Sequence, residues 1–232
     1  MKTTTTETQM VIINKTFRTI ITMALAFALC VALASCSSSG SGSANAPGTT
    51  DTTNDVPVPA QVENTSGTDD GEKPVVEITM ENGGVITIEL DPEAAPITVA
   101  NFLKLVNEGF YDGLTFHRII PGFMIQGGDP DGTGMGGSSE NITGEFLSNK
   151  WDNPISHERG VISMARSRDF DSARSQFFIT NADAISLNGD YAAFGKVLSG
   201  MDVVDEISAV ETDSNDYPQT PVVIKSIVVK GE

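Results

Sequence analysis

The 232-residue chain holds only two cysteines, Cys30 and Cys36, and two histidines, His117 and His157. So few thiols and imidazoles leave no disulfide framework and no Cys/His zinc site of the usual kind. Both cysteines precede the part of the chain whose pattern predicts folding, so that part has no thiol nucleophile. No G-x-S-x-G elbow occurs, which removes the commonest serine-hydrolase signal. Positive charge is also scarce, with 14 Lys and Arg against 31 Asp and Glu and a formal net charge of −17. This balance argues against a nucleic-acid partner and against electrostatic adhesion to anionic lipid. It predicts a soluble, self-repelling surface. No internal repeat is visible, and the longest apolar run falls short of the roughly 20 residues that span a bilayer.

That run, Ile20 to Leu33, follows Lys15 and Arg18 and ends in Leu33-Ala34-Ser35-Cys36. Positive residues, a short apolar core and small residues at its end are the elements of an export signal. Small side chains admit a peptidase to the bond before Cys36, whose thiol would carry the lipid. Residues 1–36 are therefore expected to be a lipoprotein signal, with a lipid anchor on the outside of a bacterial membrane as the chain's only membrane attachment. Without residues such as Lys2, Glu7, Lys15 and Arg18, 11 basic and 30 acidic residues remain. Residues 37–73 are rich in Ser, Gly, Thr, Asn and Asp around Val56-Pro57-Val58-Pro59. Such a composition cannot offset chain entropy by burial, and predicts a disordered tether. Residues 74–232 suit one domain with one core.

Within that domain, Val76, Ile78 and Met80, then Ile86, Ile88 and Leu90, alternate with polar residues around Asn82-Gly83-Gly84, which predicts a hairpin. Val99, Phe102, Leu103 and Val106 recur with helical period between Pro96 and Gly109. Further strands are expected at 114–120, 124–126, 161–165, 176–180, 191–197 and 222–229, and a short helix at 201–210. Many short strands with Gly-rich turns favour a closed β architecture. Pattern alone leaves barrel and sandwich open.

The stretch Phe116-His117-Arg118-Ile119-Ile120-Pro121-Gly122-Phe123-Met124-Ile125-Gln126-Gly127-Gly128-Asp129 sets one arginine among large apolar residues and an uncharged amide. It resembles the signature of the cyclophilins, a family of peptidyl-prolyl cis-trans isomerases. Ser163-Met164-Ala165, Ser175-Gln176-Phe177-Phe178-Ile179, Leu187 and Phe194-Gly195 follow at similar spacing. The resemblance implies a mainly β fold, a closed eight-stranded antiparallel β-barrel capped by two α-helices. It also implies rotation about X–Pro bonds with no cofactor and no metal, proline-containing exported polypeptides as partners, and a monomer. Arg118 would be catalytic. Phe123, Met124, Phe178 and Leu187 would form the proline pocket, with Gln126, Gln176, Ala165, Arg166 and Tyr191 contacting substrate. A proline-binding chaperone or scaffold using the same groove is the competing reading.

His117 adjoins Arg118, but isomerisation moves no proton and successive strand residues face opposite sides, so a structural role is expected. Gly132-Thr133-Gly134-Met135-Gly136-Gly137 fits G-x-G-x-x-G formally, yet no apolar-periodic helix follows, and a flexible loop is the reading. Ser186 stands where many cyclophilins carry a tryptophan important for cyclosporin, so tight drug binding is not expected. Tyr191 stands where a histidine is frequent, and Arg166 where an asparagine is. The domain's five arginines, Arg118, Arg159, Arg166, Arg168 and Arg174, all lie within or between the two main blocks. Arg166, Arg168 and Arg174 would form a positive rim, or else pair with Glu158, Asp169 and Asp171.

Overall fold

The computed structural model describes residues 73–231. The segments expected to be an export signal ending at Cys36 and a tether lie, up to residue 72, outside the described residues. Eight strands follow in order: β1 (Val75–Met80), β2 (Val85–Leu90), β3 (Thr115–Ile120), β4 (Met124–Asp129), β5 (Val161–Met164), β6 (Phe177–Thr180), β7 (Ala192–Ser199) and β8 (Ile224–Val229). Helix α1 (Pro96–Asn107) separates β2 from β3, and α2 (Met201–Ser208) separates β7 from β8.

All strand pairs are antiparallel in one sheet of order β3-β4-β6-β5-β7-β2-β1-β8. The curled sheet is open, not the closed barrel expected from the sequence. Its edge strands β3 and β8 meet only at one end, where residues 113–116 lie against residues 222–224. There the Phe116 N–H donates to Val222 O at 2.9 Å, the Ile224 N–H donates to Leu114 O at 2.8 Å, and Thr115 bridges Val223. Further along β3 the Ile119 N–H turns to Asp216 O instead.

Alternation in the hairpin places Val76, Ile78, Met80, Ile86, Ile88 and Leu90 in the core, each at most 2% exposed. Helix α1 buries Thr98, Val99, Phe102, Leu105 and Val106. Leu103, expected in the stripe, only packs at its margin, and Leu105 takes the buried place. Around Phe102 the rings of Tyr111, Phe177 and Phe194 lie at centroid distances of 5.1, 5.5 and 5.2 Å, the Phe177 contact edge-to-face. Such pairs add roughly 0.5–1.5 kcal/mol each beyond burial.

Helix α1 lacks a side-chain cap of its own: Ala95 stands at the N-cap and Pro96 supplies the first position without an N–H. The donors that follow are met from a distance. Glu145, fully buried, accepts the Ile97 N–H at 2.9 Å and the Thr98 N–H at 2.8 Å through its two carboxylate oxygens. A carboxylate there also faces the positive end of the helix dipole. Glu145→Ala should cost about 2–4 kcal/mol by leaving buried donors without an acceptor, measured as a lower urea midpoint; a change below ~0.5 kcal/mol would show the cap to be dispensable.

Candidate active site

Strands β3, β4, β6 and β5 are in a register that lines up two rows. Ile119, Ile125, Ile179 and Ile162 oppose one another in sequence across the sheet, as do Arg118, Gln126, Phe178 and Ser163. Directly opposed residues share a face. The isoleucine row is fully buried in the core, so the Arg118 row belongs to the other face.

Simple alternation would set Phe116 and Arg118 on one face. The sheet avoids this with a bulge: Phe116 opposes Gly127 while Arg118 opposes Gln126, so His117 is the extra residue. Phe116 is thereby fully buried against Phe177, whereas the Arg118 side chain is 42% exposed. A bulge of this kind re-aims a side chain at the sheet edge.

Arg118, Phe123, Met124, Gln126, Ala165, Arg166, Phe178, Leu187 and Tyr191 line one cavity of about 190 Å³. These are the predicted site residues, gathered from five separate segments. Gln176 is the exception, standing just beyond the cavity, where it accepts the Gln126 amide N–H at 2.8 Å and donates to Gly136 O at 2.9 Å. Phe123 sits in the turn between β3 and β4, fixed by the Asn181 N–H on its carbonyl at 3.1 Å. Leu187 ends a short 3₁₀ turn, Ile185–Leu187, with Ser186 exposed beside it. Tyr191 meets Phe178 edge-to-face at 5.9 Å.

Sequence reasoning missed several supports. Asp216 places a carboxylate oxygen 3.5 Å from Arg118 Nε. It lies in a turn organised by Asp213, whose carboxylate accepts the Asn215 and Tyr217 N–H groups, and Tyr217 Oη donates to Thr133 O at 2.6 Å. Ninety-odd residues from the motif, this turn left no periodic trace. Behind the cavity, His157 stacks on Phe178 and bonds Asn188 Oδ1 at 3.0 Å and Ser163 Oγ at 2.9 Å. Because Asn188 Oδ1 can only accept, His157 Nδ1 carries the proton and Nε2 accepts from Ser163.

The glycine-rich segment is no loose loop. It wraps the buried Asp129 carboxylate, which accepts N–H groups from Asp131, Thr133, Gly134 and Gly136. Burial alone would push the Asp129 carboxyl up, but these donors hold it below the ordinary range. A side chain at Gly136 would collide with that carboxylate. Among the described residues, no three His, Cys, Asp or Glu side chains group as metal ligands.

His117 is 3% exposed with neither ring nitrogen bonded. Burial lowers the pKa of both histidines below the ordinary 6.5. Unfolded imidazoles therefore take up protons below about pH 6.5 that the folded ones refuse, so stability is full above that value and falls as the pH drops. The urea midpoint should decline from about pH 7 to 5, and His157→Gln should flatten part of that slope. An unaltered slope would mean that His157 titrates alike in both states.

Residues 75–229 match the family model described as cyclophilin type peptidyl-prolyl cis-trans isomerase/CLD. The chain is 53% identical over 129 residues to peptidyl-prolyl cis-trans isomerase B of Bacillus subtilis, covering 56% of this chain and 87% of that one. It is 45% identical over 157 residues to peptidyl-prolyl cis-trans isomerase A of Dickeya dadantii, covering 62% and 79%. Among solved structures, a Cryptosporidium parvum cyclophilin crystallised in the presence of the dipeptide Ala-Pro superposes with a TM-score of 0.63 at 34% identity, covering 68% of this chain and 99% of its own. With its eight antiparallel strands, two helices and matched motifs, the chain belongs to the cyclophilin-type peptidyl-prolyl cis-trans isomerase family.

Proposed function

We propose that this enzyme accelerates rotation about X–Pro bonds by stabilising the twisted amide with Arg118, beside the apolar side chains of the cavity it lines. An X–Pro bond interconverts slowly because rotation forfeits amide resonance, with a barrier of about 18–20 kcal/mol. No bond is made or broken, so nothing in the step calls for a nucleophile or a general base. What is needed is tighter binding of the twisted than of the planar amide.

In the twisted state the proline nitrogen becomes pyramidal and recovers its lone pair. A guanidinium donor aimed at that nitrogen acts only then. Arginine offers several donors in a fixed plane and is less strongly hydrated than an ammonium ion, which suits a partly apolar site. The observation that carries this reading is the Arg118 guanidinium lining a single cavity with Phe123, Met124, Phe178 and Leu187. Those four side chains can hold a proline ring away from water, while Gln126 offers the neighbouring backbone a polar partner. An acceleration of about 10⁵ requires roughly 7 kcal/mol of differential stabilisation, more than one charge-assisted bond supplies, so desolvation and positioning must contribute.

Replacing Arg118 by alanine should lower kcat/KM by about 10²–10³, followed by exchange spectroscopy on a proline peptide, while the peptide still binds. Equal rates for both proteins would remove the arginine mechanism, and binding without turnover in the wild type would favour the chaperone reading.

Clients would be exported polypeptides. Support comes from Lys15 and Arg18, the Ile20–Leu33 run and the Leu33-Ala34-Ser35-Cys36 box, which together give a lipid-anchored domain on a tether outside the cytoplasm. Several acyl chains would hold it firmly, since a single one binds only marginally. Cys36→Ser should move the protein out of the membrane fraction and abolish labelling by a radioactive fatty acid; retention of the label would place the lipid elsewhere.

A further inference from the structure

A second cavity of about 350 Å³ adjoins the first, sharing Gln126, Ala165 and Arg166 with it and adding Gly136, Ser172 and Arg174 among others. Its charge is unusual for so acidic a chain. Arg166 and Arg174 line it against the single carboxylate of Asp169. Among the described residues, neither arginine, nor Arg168 beside them, lies within 4.0 Å of a carboxylate; the ion pairs engage Lys73, Lys104, Arg118, Arg159 and Lys230. Asp171, a candidate partner, is occupied by the Gly144 N–H and the Asn149 amide. Pairing within the rim is therefore not what the two arginines are for.

Arg166 does have a packing role. Its guanidinium lies 5.0, 5.2 and 4.8 Å from the ring centroids of Phe146, Phe170 and Tyr191, and Nε donates to Asp190 O at 2.9 Å. That clamps the cation in place without neutralising it. Packing does not account for Arg174. Its two guanidinium contacts, to Ser138 O and Met135 O, are both 3.4 Å, at the outer limit of hydrogen bonding. Yet its backbone is held firmly, with Asn101 donating to Arg174 O at 2.7 Å. Gly137 leaves the guanidinium room to lie flat, since a side chain there would come within 3.1 Å of Arg174 Nε. A fixed backbone, donors without strong partners and an adjoining space describe a site for an anion-bearing side chain.

We propose that this side cavity makes the enzyme prefer X–Pro bonds with an aspartate or glutamate a few residues from the proline, selected by Arg174 with Arg166. The inference rests on the isomerase reading of the adjoining pocket. An extended peptide advances about 3.3 Å per residue, so a chain whose proline fills the first cavity passes the second within one to three positions. A partly exposed charge pair is worth up to ~1 kcal/mol, or about fivefold.

The test uses the full chain and peptides that differ only in Glu, Gln or Lys at each of the three positions on either side of one proline. At low salt, glutamate at one of these positions should raise kcat/KM about fivefold over glutamine, with lysine lower still. The ratio should shrink towards one in roughly 0.5 M salt. Arg174→Gln should remove most of the preference, and Arg174→Glu should reverse it; circular dichroism checks that both are folded, and the milder variant suffices if the other is not. Equal kcat/KM for the whole series at low salt, or a glutamate preference that survives Arg174→Gln, overturns the proposal. Chemical-shift titration of the same peptides into Arg118→Ala reads the charge preference without turnover. A failed isomerase reading thus shows as absent catalysis with the binding order intact, and a failed side cavity as catalysis without charge order.

Discussion

The register of β3, β4, β6 and β5 is the constraint on which the site depends. Ile119, Ile125, Ile179 and Ile162 face the core in one row, and the adjacent row carries Arg118, Gln126 and Phe178 outward. A slip of one residue between any two of these strands would turn isoleucines to water and polar groups inward. Burying four isoleucines stabilises the fold by roughly 1.5–3 kcal/mol each, so the buried row sets where the cation stands. The bulge at His117 completes this arrangement. Phe116 and Arg118 would otherwise share a face, and the core would lose a ring or the surface its arginine.

The loop from Ser172 to Gln176 joins core and site. Asn101 on α1 donates to Arg174 O, Tyr111 Oη donates to Ser175 O, and Ser175 Oγ donates to Gly128 O at the end of β4. Gly128 has φ of 84°, and a side chain there would collide with Ser175 O, so glycine meets both the backbone and the space requirement. From this anchored loop Gln176 reaches Gln126 on one side and Gly136 on the other. Asp129 gathers the glycine loop with four backbone N–H groups. The rim is thus held by buried and partly buried bonds, the buried ones expensive to leave unmade, although the cavities themselves open to solvent.

Alternation along β1 and β2 and the helical period near Phe102 made most elements legible, because burial on one face leaves a periodic trace. The motif placed Phe123, Met124, Phe178 and Leu187 together, although no local pattern connects residues more than sixty positions apart. What escaped has no periodic trace. Glu145 caps a helix from 48 positions away. Asp216 reaches Arg118 through a turn in the left-handed region, φ 67°. The bulge adds one residue to a strand that otherwise reads as plain alternation. The sheet's open edge turned on whether β3 and β8 complete a ladder, and beyond residue 116 they do not, with the Ile119 N–H going to Asp216 O instead. Ion pairing of Arg166 and Arg174 with nearby carboxylates was a fair expectation from spacing, but aromatic rings and backbone carbonyls took those places instead.

How Arg118 is held bears on how it could work. Its partner Asp216 is itself 41% exposed, and a pair at 3.5 Å in that setting is weak. The guanidinium is oriented through Nε and keeps its terminal nitrogens for another acceptor. A buried, fully bonded arginine would have to break strong bonds before meeting the prolyl nitrogen, and a free one would have to be ordered. A weak pair on a rigid strand avoids both costs. The peptide itself would then remove water from the cation as it covers the cavity, strengthening the new bond where the local dielectric falls. His157, bonded to Ser163 and Asn188, and His117, inside the bulge, are buried groups whose lowered pKa ties protonation to the frame and not to the cavity.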